Sequence, residues 1–496
     1  MTNLQSLEFF IPEIILVITV IASLITDLFL KKSKTDLIGW VLGIGLIVVA
    51  LATINLSHVA PTTLFLDMIV IDPFSSFIKI IIIISTLLVI VASWNNNELS
   101  SYRKGEYFTL MGIMVLGLFL MASSIDIIML YLSIEVVSIM SFILAGYLKL
   151  DTRSNEAALK YVIYGAFSSG LMLYGLSIVY GLTGSTNYFV IQASVVALDS
   201  SANPALVMGL LMILAGFGYK ISAVPFHFWT PDVYEGSPIT ITAYLSVAPK
   251  AAGFAMIIRF FHQVFSDSYG LSASSIGSTD MPWPEIIGVL AVATMTLGNL
   301  VAIQQESIKR MLAYSSIAHA GYMMLALPVI SIDAIEAIMV YLFVYLFMNL
   351  GAFFIVITVK NKTGGETFED YKGLGWKMPF VGSAMTLFML SLTGLPPTAG
   401  FVGKFYIFKT LIGAGNDYYW LVLAGGINSV ISLYYYFHVV KVMFLDGKRS
   451  DKIEQPPAPM FGLLLMSAIP SLVLGLYWNP LISWVKESLI FYTQTL

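Results

Sequence analysis

Residues 216–227 read Gly216-Phe217-Gly218-Tyr219-Lys220-Ile221-Ser222-Ala223-Val224-Pro225-Phe226-His227, and they lie inside an apolar segment, 204–229, long enough to cross a bilayer. Proline removes a backbone donor and clashes with the preceding turn, so a helix here is predicted to break and to free carbonyl and amide groups. Irregular backbone at membrane depth is tolerated only where it is buried in protein or lines a watery cavity, which is where transporters place binding sites. Lys220 lies five residues before Pro225. A charge at the centre of a membrane helix costs roughly 2.5 to 3.5 kcal/mol, so it marks function more often than decoration. The stretch therefore predicts a helical membrane bundle with a charged site in its interior.

The same combination recurs once, at Thr393-Gly394-Leu395-Pro396-Pro397-Thr398-Ala399-Gly400-Phe401-Val402-Gly403-Lys404. Scanning outward for apolar runs of about 20 residues gives segments at 8–30, 37–57, 71–94, 106–122, 124–148, 155–182, 204–229, 237–264, 284–302, 308–329, 334–360, 378–413, 418–445 and 460–485. The reading is an all-α polytopic membrane protein of about fourteen transmembrane helices, in which the seventh and twelfth are broken. Composition agrees, since 58% apolar and only 11% charged residues, with mean hydropathy +0.86, exceed the apolar share of ordinary soluble chains. The interruptions at 183–203, 265–283 and 446–459 are short, so the chain is one membrane domain without a catalytic ectodomain. The first segment carries Glu8 and Glu13 in place of a basic start and is too long for a signal h-region, so it is expected to remain as a helix.

Lysine and arginine sit at alternate connections: Lys31, Lys32 and Lys34; Arg103 and Lys104; Lys149 and Arg153; Lys309 and Arg310; Lys360, Lys362, Lys372 and Lys377; Lys448, Arg449 and Lys452. The intervening loops 58–70, 183–203 and 265–283 have none, which places the basic connections in the cytoplasm and both termini on the outer side of a bacterial inner membrane. The breaks fall five segments apart, suggesting two five-helix repeats, helices 4–8 (106–264) and 9–13 (284–445), offset by roughly 180 residues. Five is odd, so the copies are inverted. Residues 1–105 supply peripheral helices 1–3 and 460–496 a terminal helix 14.

Four charges sit near the middle of separate segments: Glu135, Lys220, Lys250 and Lys404. They must turn toward each other or toward water, which reads as an ion path within the bundle. Lys79, Arg259, Lys409, Lys441 and Lys486 lie toward helix ends, where long stems snorkel to the interface. Lys160 is one turn inside its helix, placed either to snorkel or to reach the interior. A purely structural role as ion pairs is the competing reading of the central lysines.

No cysteine is present, so this chain cannot ligate an iron–sulfur cluster or form a disulfide. The histidines His58, His227, His262, His319 and His438 lack metal-site spacing, and a net charge of −4 gives no reason to expect nucleic acid. Proton or cation movement is the chemistry that remains.

The run Pro225 to Pro238, PFHFWTPDVYEGSP, followed by AYLSVAPKAAGFA from Ala243 to Ala255, resembles the antiporter-like membrane subunits of respiratory complex I. GLPPTAGFVGKFY, from Gly394 to Tyr406, is similar to the N type of these subunits, which has lysine where the M type has glutamate. The chain also ends near its fourteenth helix, without the lateral helix expected of the L type. The resemblance covers essentially the full length. It implies a proton relay in which Glu135 is the fifth-helix glutamate, Lys220 the seventh-helix lysine, Lys250 the eighth-helix connecting lysine and Lys404 the twelfth-helix lysine. Lys160 and His227 match further polar positions of that route. His319 is placed either as a bridge between the halves or as a satisfied core histidine.

The resemblance further implies no cofactor or metal on this chain, with NADH, FMN, iron–sulfur clusters and quinone held by partner subunits. The physics of the route is that moving a carboxylate relative to a buried lysine switches the lysine between proton acceptor and donor. Glu135 then biases Lys220, Lys220 exchanges with Lys250, and Lys404 passes the proton outward. Two other classes stay open at this point: a subunit of a multisubunit cation/proton antiporter, and a structural spacer, which would gain stability by losing its central charges.

Overall fold

The computed structural model describes residues 3–31, 35–94, 96–198, 203–265, 282–329, 331–446 and 455–494. Among them thirteen helices are long and apolar enough to cross a membrane. The predicted twelfth span adds to these as two shorter helices, Pro379–Thr393 and Ala399–Ala414. The chain is an all-α polytopic membrane protein. The basic residues Lys32, Lys34, Lys448, Arg449 and Lys452, and most of the 265–283 connection, lie outside the described residues.

Several connections hold more structure than the apolar runs show. The 183–203 loop carries a helix, Tyr188–Val196, capped by the Asn187 side chain, and the 58–70 loop folds into a hairpin pairing Thr62–Leu64 with Ile69–Ile71. The predicted last segment, 460–485, is two helices, Ala458–Leu476 and Asn479–Gln494. The second of these packs on the third span, Pro73–Trp94, and the eleventh, Ile332–Thr363, where Trp484 meets Phe77 and Phe343 at 4.6 and 5.5 Å between ring centres.

Side-chain caps fix where the spans start. Asp126 accepts from the amides of Ile128 and Met129 at the head of the fifth span, Ile127–Ala145, and Asp151 from Arg153 at the head of the sixth, Thr152–Thr183. Alternate connections meet at each end of the bundle. At one end Arg103 pairs with Asp27, Lys149 with Glu106, and Lys360 with Glu98. At the other, Asn187 donates to the Asp67 carbonyl and Ile127 to that of Thr186. The lysine- and arginine-bearing connections among these share one face, as their spacing requires.

The eighth span, Ile239–Phe265, is buried over its whole apolar window, and the tenth and eleventh nearly so, whereas the first, second, sixth and thirteenth keep most of theirs on the outside. The eighth, tenth and eleventh spans are thus the core, and polar groups on them face protein. The outer spans present Ile18, Phe167 and Val430 outward, as a lipid-facing surface does.

Two expected snorkelling residues do not snorkel. Lys79 is buried against Glu13 of the first span at 2.6 Å. Arg259 is buried in a two-pronged pair with Asp72, at 2.9 and 3.0 Å, and also donates to the Ala122 carbonyl. Their carboxylate partners sit at the ends of other spans, so the heads turn inward to a counter-charge instead of outward to water. Lys409, Lys441 and Lys486 are exposed, as expected.

Candidate functional site

Both predicted breaks form, and they form the same way. The first half of the seventh span, Asn203–Ile221, stops where Ser222 turns left-handed at φ 66°; Ser222 N–H bonds the Tyr219 carbonyl and Ala223 N–H that of Gly218. In the twelfth span, Pro379–Thr393 stops at Gly394, φ 87°, where Gly394 N–H bonds Ser391 and Leu395 N–H bonds Leu390. Each is the crossed hydrogen-bond pair of a Schellman cap, and each is followed three residues later by proline, Pro225 or Pro397. A second half-helix then resumes, Trp229–Gly236 or Ala399–Ala414.

The break in the twelfth span has a direct chemical use. Lys404, on the second half-helix, donates to the Thr393 carbonyl at 2.8 Å, one of the acceptors that the interruption frees, and to the Ser429 hydroxyl at 3.2 Å. Glycine at 394 is required twice over, for its positive φ and because a Cβ there would come within 2.8 Å of the Lys404 stem. The ammonium also stands 4.2 Å from the centre of the Tyr322 ring, a cation–π contact worth about 2 kcal/mol where both groups are desolvated.

Lys220 ends the first half of the seventh span and donates to Ser138 at 3.2 Å. Ser138 is one turn beyond Glu135 on the fifth span, and the Glu135 carboxylate takes a hydrogen bond from Ser169 of the sixth. Among the described residues no ion pair joins Glu135 to Lys220, so carboxylate and ammonium share one helix face through separate hydroxyls.

Lys250, on the eighth span, donates to both the hydroxyl and the carbonyl of Ser316, each at 2.6 Å. One turn along the tenth span from Ser316, His319 is sandwiched between two phenols: Nδ1 meets the Tyr341 hydroxyl at 2.8 Å and Nε2 that of Tyr436 at 3.0 Å. Tyr436 continues to Ser315 at 2.5 Å. A neutral imidazole donates from one nitrogen and accepts at the other, so this string can reverse its polarity by exchanging tautomers. His319 is thus both a satisfied core histidine and a group able to relay. Its ring lies 5.9 Å from that of Tyr322, which carries Lys404 on its face.

Two sequence-predicted residues stand apart from this line. Lys160 is partly exposed and paired with Glu156 at 2.7 Å and Asp232 at 2.6 Å, in an ion cluster at the basic end of the bundle. His227 is buried in the break against Phe228, and its Nδ1 has no hydrogen-bond partner among the described residues. No hydrogen bond among the described residues joins the Lys220–Ser138 group to the Lys250–Ser316 group.

Residues 124–432 match the family model described as NADH:quinone oxidoreductase/Mrp antiporter, TM. NADH-quinone oxidoreductase subunit N 2 of Chloroherpeton thalassium is 45% identical over 487 residues, covering 97% of this chain and 94% of that one. The protein of the same name from Sorangium cellulosum is also 45% identical, over 98% of both chains. The chain belongs to the subunit N family of NADH-quinone oxidoreductases. Among solved structures it is similar to a chain of respiratory complex I from Thermus thermophilus with bound aureothin, 27% identical with a TM-score of 0.78 over 95% of this chain and 98% of that one. The fold is shared with a chain of the Mrp complex from Dietzia sp., 18% identical with a TM-score of 0.82, over 100% and 99% of the two chains.

Within this family fold, the residues that sequence reasoning missed are the neutral partners. Ser138, Ser169, Ser316 and Ser429 hold the charges, and Tyr341, Tyr436 and Tyr322 join His319 to its surroundings. A usable signal was present in two places, where a serine stands one helical turn from a predicted group: Ser138 after Glu135, and Ser316 before His319. Ser429 had none.

Proposed function

We propose that this chain is a proton-translocating, antiporter-like subunit of a bacterial NADH:quinone oxidoreductase, moving protons through Glu135, Lys220, Lys250, His319 and Lys404. The observation that carries this reading is that the three lysines central to the spans, Lys220, Lys250 and Lys404, are held by neutral oxygens and none of them by a carboxylate. A lysine bonded to a hydroxyl or carbonyl can release its proton as a neutral amine without stranding a counter-charge, whereas a lysine locked to a carboxylate cannot. Glu135, one turn from the Ser138 that Lys220 holds, biases that lysine; water carries the step to Lys250; the His319 string and Tyr322 lead to Lys404, which passes the proton outward. Lys160 and His227 serve the basic end of the route, where protons arrive.

Moving one charge against 100 mV takes about 2.3 kcal/mol, and that energy comes from quinone reduction in partner subunits that hold NADH, FMN, iron–sulfur clusters and quinone. The basic face of the bundle lies on the cytoplasmic side of the inner membrane and both termini on the outer side. The units 106–264 and 284–445 are inverted copies, a reading supported by their identically capped breaks at Ser222 and Gly394.

Replacing Lys220 with alanine should lower proton pumping at least about a hundredfold, the usual yield of a positioned acid–base group, in a complex that still assembles. Normal pumping by that variant rules the relay out. The Mrp-like fold supports a second reading, a cation/proton antiporter subunit. Native-gel co-migration with NADH dehydrogenase activity selects the first; sodium-driven proton exchange in a smaller assembly without that activity selects the second.

A further inference from the structure

The half-helix Trp229–Gly236, which follows the break in the seventh span, is gripped by cations from two other spans. Arg310 reaches both of its acids through one nitrogen, Asp232 at 2.8 Å and Glu235 at 2.5 Å. Lys309 is buried and donates to the Glu235 and Ser237 carbonyls at 3.0 and 2.8 Å, the unsatisfied acceptors at the half-helix C-terminus, where a cation is favoured. Lys160 holds the other oxygen of Asp232 from the sixth span. Gly236 lets the sixth span press in, since a Cβ there would lie 2.4 Å from the Arg153 carbonyl.

Lys309 and Arg310 open the tenth span, Ile308–Met324, whose middle carries Ser316, the partner of Lys250, and His319. One stiff helix therefore grips the far side of the first break with its head and holds the Lys250 end of the charged line with its middle. In the second break, the residue ten positions after the left-handed cap is Lys404 itself; in the first it is Asp232, which is clamped from outside.

We propose that Lys309 and Arg310 are positioning residues that fasten the half-helix Trp229–Gly236 to the tenth span, so that the Lys220 break and the Lys250–His319 segment shift together. This rests on the relay reading above for its functional consequence but not for its geometry. A single rigid link of this kind lets a displacement delivered at either end change the other, without a continuous chain of hydrogen bonds between Lys220 and Lys250.

The test uses the assembled complex and reads two quantities, hydrogen–deuterium exchange over 222–236 and proton pumping per complex. Arg310→Gln should speed exchange in that segment about tenfold, as a charge-assisted contact is lost, and cut pumping by about tenfold or more. Arg310→Lys, which can still reach both acids, should restore most of each. Should Arg310→Gln fail to assemble, Glu235→Gln weakens the same clamp from the other side, at the 2.5 Å contact, and leaves the Lys160–Asp232 pair in place, with the same direction of change expected in both quantities. Unchanged exchange overturns the proposal, whatever happens to pumping; so does faster exchange with normal pumping. If Lys220→Ala pumps normally, the relay reading falls, while the exchange result still decides whether the clamp exists.

Discussion

Lys79 and Lys220 are about equally hidden from solvent, at 2% and 4% exposure, yet they are solved in opposite ways. Lys79 meets Glu13 at 2.6 Å, and the neighbouring Arg259 meets Asp72 through two parallel contacts. These pairs join the first span to the third and the head of the third to the eighth. Lys220, Lys250 and Lys404 meet a serine hydroxyl, a serine hydroxyl and carbonyl, and a freed helix carbonyl with a serine hydroxyl. On the proposed relay, the periphery fixes its protons and the centre leaves them exchangeable. A buried pair loses several kcal/mol if either member is neutralised alone, because the other charge is stranded. A lysine among neutral acceptors loses only the excess of a charged over a neutral hydrogen bond, about 1 to 1.5 kcal/mol each.

The sharpest way to break the contrast is to give a central lysine what a peripheral one has. Ser316→Asp would place a carboxylate against Lys250, where the hydroxyl now sits at 2.6 Å. The expected outcome is a complex that assembles and oxidises NADH only slowly, with pumping down about a hundredfold, the scale of a lost acid–base group. Pumping near the wild-type rate would mean that Lys250 does not exchange its proton during turnover, and the distinction between locked and labile lysines would lose its functional meaning.

The converse experiment targets the periphery. Asp72→Ala leaves Arg259 buried without its counter-charge and also removes the acceptor that caps Ser75 at the head of the third span. Destabilisation of about 3 to 5 kcal/mol is expected from the stranded charge, read as a lower melting temperature and less assembled complex. Pumping per assembled complex should stay at the wild-type level. A variant that assembles normally but pumps poorly would move Arg259–Asp72 from scaffold to relay.

Much of this arrangement is legible in sequence, for identifiable reasons. Apolar runs of membrane length find the spans because backbone satisfaction in lipid leaves few other folds. The breaks are legible because proline and glycine act locally, within a few residues of Lys220 and Lys404. The partners are not, because they are long-range: Ser138 is 82 residues from Lys220 and Ser316 is 66 from Lys250. Lys79 and Arg259 read as snorkelling because position within a run gives depth but not direction, and Glu13 and Asp72 are remote in sequence. The 460–485 run reads as one span because the turn at Tyr477 and Trp478 is itself apolar, so hydropathy passes over it.

The smallest expected effect lies at the basic end, where Glu98 combines the two designs. It is a carboxylate in the connection between the third and fourth spans, paired with Lys360 at 2.6 Å and accepting from the Ile239 amide at 2.9 Å, at the head of the eighth span. Burial pushes its carboxyl up, but Lys309, Lys360 and the Ile239 amide together outweigh burial and hold it below the ordinary carboxylate value. A lowered folded-state value means that its stabilising contribution is fully present above the unfolded carboxylate range and is lost as pH falls through the folded value. The wild-type complex should therefore lose melting temperature on acidification below the carboxylate range. Glu98→Gln should flatten part of that loss while lowering the plateau at neutral pH by a few degrees, consistent with about 1 kcal/mol for the lost charged contacts after screening at the surface. Identical acid profiles for wild type and variant would show that Glu98 titrates as an ordinary surface carboxylate and that the join between the third–fourth connection and the eighth and eleventh spans is held by packing alone.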